Sequence, residues 1–115
     1  MHSPALVVEL HEPEEACRFL AVVAIGLLTA VGNEVMTLAE AERLLFTPRT
    51  VRILSDKGRS PALCELIMEC CELDDILDLL PLKFDAELRK MINRFSEYLK
   101  CSVTQDPYST HLRLK

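Results

Sequence analysis

Any chemistry this chain performs would have to come from one stretch, CELIMECCELDD, residues 64 to 75, where three cysteines stand among five carboxylates. Thiolates bind soft metals and exchange disulfides, and paired carboxylates move protons or hold hard cations. Spacing decides between these roles. On a helix with Leu63 at the origin, Leu66, Ile67, Cys70 and Leu73 fall between roughly 280° and 40°, with Cys64, Met68 and Cys71 between roughly 80° and 140°. Glu65, Glu69 and Glu72 form a narrow stripe opposite. Cys64 and Cys71 share a face but are separated by roughly 10.5 Å of helical rise. Zinc holds each sulfur at about 2.3 Å, so one ion does not bridge them. Cys70 and Cys71 point roughly 100° apart, and no C-x-x-C occurs. The thiols therefore read as small hydrophobes of the core.

The carboxylates Glu65, Glu69, Glu72, Asp74, Asp75 and Asp78 run without an intervening base. They lack the alternating oxygen ligands and central glycine of a calcium loop. They read as a solvated face, or as a docking surface for a cationic partner. Upstream, RLLFTPRTVRILSDKGR sets Arg43, Arg49, Arg52, Lys57 and Arg59 against Glu42 and Asp56. A basic segment followed by an acidic one is expected to attract it, within the monomer or across a dimer. The candidate interaction surface is accordingly Arg49, Arg52, Lys57, Arg59, Glu65, Glu69 and Glu72. Two short helices in succession also suggest a helix-turn-helix, but a single residue, Thr47, is expected between them where that motif needs three or four.

Nothing else in the sequence offers a reaction centre. His2, His11 and His111 fall in irregular or terminal segments, and three glycines are too few for a phosphate-cradling loop. No catalytic, cofactor or metal site is expected. Arg18 is expected to extend its guanidinium to solvent, with an acid such as Asp78 as the other option.

The elements that position these residues are helical. At 115 residues, half of them apolar, the chain makes one domain, residues 1–115, able to bury a core without disulfides. The net charge of −5 weighs against non-specific binding to nucleic acid or anionic lipid. The opening MHSPALVVEL lacks the features of a secretory signal, so five cysteines point to free thiols in a cytoplasm. The apolar run FLAVVAIGLLTAV is thirteen residues, against about 20 needed to cross a bilayer. It reads as a central helix from Glu14 to Val31, apolar on nearly every side and surrounded by neighbours, with Gly32 and Asn33 as its left-handed stop.

Capping residues divide the rest of the chain. Thr37 with Glu40 forms a capping box for a second helix ending near Phe46. Thr47–Pro48 and Ser60–Pro61 are start signals for a third, ending at Gly58, and a fourth. DDILDLLP makes a short turn of helix stopped by Pro81. Phe84, Leu88, Met91, Ile92, Phe95 and Leu99 recur at helical spacing in a last helix to Lys100. Segments 1–12 and 102–115 read as extended or flexible ends, and LVVEL and HLRLK alternate enough to pair as a short terminal β-ribbon. The fold class is all-α, a compact bundle of five to six helices around the central apolar one.

Over Glu14 to Leu99 the chain resembles a family of small bacterial proteins of unknown function. The likeness rests on Glu40, Ala41, Glu42, Leu44, Leu45, Phe46 and Pro48, then Gly58, Leu66, Ile67, Glu72, Leu73 and Pro81. It implies a bacterial cytosolic helical domain and brings no functional residue with it. The function expected is a non-enzymatic protein-interaction or regulatory module, self-associating or bound to another protein, with no membrane role. A nucleic-acid-binding regulator using the basic segment 43–59 is the alternative.

Overall fold

A computed structural model describes residues 6–10, 13–58, 60–102 and 110–114. Arg59, His2, His11 and most of the two end segments lie outside the described residues. The chain is all-α in its body. Strand β1 (Leu6–Leu10) precedes helices α1 (Pro13–Gly32), α2 (Leu38–Leu44), α3 (Pro48–Asp56), α4 (Pro61–Cys70) and α5 (Leu73–Leu79). A 3₁₀ turn (Pro81–Lys83), helix α6 (Phe84–Cys101) and strand β2 (Thr110–Leu114) complete the order. The strands pair antiparallel, Leu6 opposite Leu114 and Leu10 opposite Thr110.

Local chemistry explains where α2, α3 and α4 begin. Thr37, Thr47 and Ser60 each accept a hydrogen bond from the backbone N–H three residues on, at Glu40, Thr50 and Leu63. Each thus satisfies a donor that the first helical turn leaves open. Pro48 and Pro61 follow as first helical residues, where the missing N–H costs nothing. Gly58 stops α3 in the left-handed region, φ 68°.

The end of α1 departs from expectation. Neither Gly32 nor Asn33 takes the left-handed conformation; Glu34 does, at φ 61°. The helix runs on through Gly32, and the N–H of Val35 bonds the carbonyl of Ala30 while that of Glu34 bonds Val31. This pair of bonds is the Schellman closure, which requires the left-handed residue one place after the cap. The backbone accepts an unfavourable residue there because two carbonyls are satisfied.

The core lies between α1, α4 and α6. Phe46, Phe95, Leu28, Leu63, Ile67, Leu73 and Cys70 are its largest fully buried side chains. Helices α1 and α6 are antiparallel: Arg18 near the start of α1 meets Leu99 and Ser102, while Leu28 and Gly32 lie with Asp85 and Leu88. Ala21 and Ala24, both fully buried, put small side chains on the covered face of α1 and permit close helix approach.

Two expectations about α1 are corrected. It is not surrounded: Val22 is 55% exposed, and Gly26 and Thr29 on the same side are exposed too. An all-apolar helix shows no stripe from which to read its covered side, and α6 covers one face only. Arg18 does not reach into solvent. It donates to the carbonyls of Leu99 (2.8 Å) and Ser102 (3.2 Å) and to the Ser102 hydroxyl, closing the carbonyl end of α6. At twenty residues, α1 is also long and apolar enough, by length and composition, to cross a membrane, and a third of that window is buried.

Candidate interaction surface

The cysteine-bearing helix turns most of its thiols inward. Cys70 is fully buried and Cys64 nearly so, its sulfur 3.8 Å from the Ser55 hydroxyl of α3. Burial, reinforced by neighbouring Cys71, pushes the Cys70 thiol up to about 12. Cys71 is half-buried at the α4–α5 junction, and burial raises its thiol too, followed by the carboxylates Glu42, Asp74 and Glu72. A sulfur that keeps its proton is a poor nucleophile and a poor metal ligand. Among the described residues no group of three or more His, Cys, Asp or Glu side chains is arranged to hold a metal ion.

Carboxylates cluster where Cys71 emerges. Glu42 of α2 faces Asp74 of α5, and its own carboxyl is raised, by burial first and by Asp74 second. The α4 stripe divides. Glu69 is ion-paired to Arg94 of α6, and Glu65 lines a cleft of about 450 Å³ with Arg94, Glu97, Tyr98 and Cys101. Glu72 stays with the acidic cluster. The sequence-predicted stripe is therefore split between α6 and the α4–α5 junction, and does not form one docking face.

The basic half is freer. Arg49, Arg52 and Lys57 are exposed, and their side chains make no ion pair or hydrogen bond among the described residues. Around α3, Arg49, Arg52, Ile53 and Asp56 occupy one arc, opposite buried Leu54. No ion pair joins the basic segment to the acidic one within the described chain, so the expected internal attraction is not made. Leu45, Phe46 and Thr47 separate α2 from α3, three residues where one was expected. Both Leu45 and Phe46 are buried in the core.

Sequence reasoning missed the leucine corner between α5 and α6. Leu77, Leu79, Leu80 and Leu82 are all exposed, Leu79 to 77% and Leu82 completely. Asp74, Asp75 and Asp78 flank them without a cationic partner among the described residues. The signal was present: four leucines in six residues, interrupted by Pro81, exceed what one turn of helix buries. Leu73 and Ile76 take the inward positions, leaving Leu79 and Leu82 outside.

At the other end of α6 a cavity of about 420 Å³ opens among Pro13, Cys17, Gly58, Ser60, Tyr98 and Cys101. Burial pushes the Tyr98 phenol up; a hydrogen bond with Ser60 opposes the shift, and contact with Cys17 adds to it. No buried side-chain polar atom among the described residues lacks a partner.

The chain belongs to a family described as protein of unknown function (DUF3969), whose model matches residues 11–111. No curated protein and no solved structure matches it.

Proposed function

We propose that this DUF3969 member is a non-enzymatic protein-interaction or regulatory module of the bacterial cytoplasm. The observation that carries the reading is the corner Leu77–Leu82, four exposed leucines beside three carboxylates without cations among the described residues. Burying Leu79 and Leu82 on a partner would contribute about 1.5–3 kcal/mol each, because they are exposed in the monomer. Contiguous apolar surface rimmed by charge is what association sites present. The cation-bearing face of α3 supports the same reading, since Arg49 and Arg52 have no partner to leave among the described residues. A bundle of five to six helices, closed by the β1–β2 ribbon, is the scaffold of this proposal, with α1 docked on α6 rather than in lipid.

The test is affinity capture from the cells that make the protein, comparing wild type with a Leu79→Asp/Leu82→Asp double variant. A protein retained by the first and lost by the second, or self-association lost in the variant, is expected. A monomeric wild type that captures nothing leucine-dependent overturns the reading.

The nucleic-acid alternative draws support from the three-residue turn before α3 and its unpaired Arg49 and Arg52. Duplex binding through them would weaken steeply with salt, by roughly one logarithmic unit of slope per phosphate contact. A flat or absent response in a titration removes it.

A further inference from the structure

We infer that the partner is a second copy of this chain, docked head to tail, with the cationic face of α3 seated on the leucine corner of its neighbour. This rests on the interaction reading above and names its occupant. The two surfaces are complementary in both charge and polarity. Around Ile53, which is exposed, the segment Pro48–Lys57 carries Arg49, Arg52 and Lys57 against the single carboxylate Asp56. Around the leucines, Leu73–Lys83 carries Asp74, Asp75 and Asp78 against the single cation Lys83. None of these arginines and none of these aspartates forms an ion pair within the described chain.

Distance keeps the C-terminal end of α3, with Lys57, from the leucine corner of its own molecule. The leucine corner runs directly into the first residue of α6, at Phe84. The end of α3 lies at the opposite end, where Gly58 shares a cavity with Tyr98, Cys101 and Ser102. Eighteen residues of helix separate those ends, roughly 27 Å, well beyond a screening length of about 8 Å. Two different patches that complement each other make a heterologous contact. Such a contact leaves one free patch at each end of a dimer, so it propagates to longer chains unless its rotation closes a ring.

Sedimentation velocity on the full chain, from micromolar to millimolar at low salt, tests this. Wild type should form a concentration-dependent series that extends past the dimer and shrinks with salt. Arg49→Glu/Arg52→Glu and Asp75→Lys/Asp78→Lys should each weaken association at least about tenfold, since like charges then meet. Their equimolar mixture should restore it, because each variant supplies the face that the other needs. Leu79→Asp/Leu82→Asp should be rescued by Arg49→Glu/Arg52→Glu, which keeps an intact leucine corner, and not by Asp75→Lys/Asp78→Lys, whose corner is altered as well. Circular dichroism and melting confirm that each variant is folded, so a loss of association is a surface effect. A monomeric wild type, a wild-type dimer that survives both charge reversals, or a mixture of folded variants that stays dissociated each overturns the inference. If wild type is monomeric yet still captures a protein that Leu79→Asp/Leu82→Asp loses, the interaction reading survives and only the identity of the partner fails. If that capture is absent as well, both fail.

Discussion

Along the seam between α1 and α6, buried alanines, Leu28 and Phe95 pack together, and the guanidinium of Arg18 is spent on backbone carbonyls. Along the rim made by α3 and the leucine corner, arginines and aspartates of opposite sign go unpaired among the described residues, and leucines stand in solvent. The same residue types serve both regions. In the seam the half-buried guanidinium of Arg18 has found its partners inside the chain. At the rim the charges have no partner among the described residues, and this is where the proposed association would gain its contacts.

The largest expected effect breaks the seam and spares the rim. Phe95 is fully buried, so Phe95→Ala should lower unfolding free energy by about 3–5 kcal/mol in a denaturant titration. Leu82→Asp should stay within about 0.5 kcal/mol of wild type in the same measurement, being wholly exposed. Comparable losses at both positions would mean that the corner is part of the core.

Next in size is the end of the seam. Removing the guanidinium in Arg18→Ala takes the charged donor from the carbonyls of Leu99 and Ser102, though Leu99 still accepts from the Ser102 hydroxyl and N–H, and should cost about 0.5–1.5 kcal/mol. Hydrogen exchange should localise the loss to the last turn of α6. This contact was illegible in the sequence because its partners lie 81 and 84 residues away, and nothing near Arg18 announces them. The caps at Thr37, Thr47 and Ser60 were legible for the opposite reason: each side chain bonds an N–H three residues on. The starts of α2, α3 and α4 are therefore written locally, whereas the covered side of α1 and the exposed corner after α5 are set by which neighbours arrive.

Glu34 sharpens the same lesson at smaller scale. A non-glycine residue at φ 61° is strained by about 1–2 kcal/mol, and glycine gives back part of the gain through its looser unfolded chain. Glu34→Gly should therefore raise stability by about 0.5–1 kcal/mol, read as an upward shift in melting temperature. A fall would place the value of Glu34 in its side chain.

The smallest effect belongs to the acidic junction that links the two regions. The Glu42 carboxyl is raised above its ordinary 4.5, by burial first and Asp74 second, so the folded chain holds that proton more tightly than the unfolded one. Ionising Glu42 then costs stability, fully so above its raised value and not at all once pH falls below the unfolded one. Glu42→Gln should stabilise by about a few tenths of a kcal/mol near neutrality, given how far solvent screens an exposed pair, and by nothing near about pH 3. The same substitution takes one carboxylate away from Cys71, whose thiol Glu42 helps to raise. Alkylation of Cys71 should become faster at a given pH, with buried Cys70 unaffected; in wild type, exposed Cys101 should react before either. Rapid alkylation of Cys70 in the folded wild type would sink this account, because a thiol held in the core has neither the exposure nor the thiolate to react.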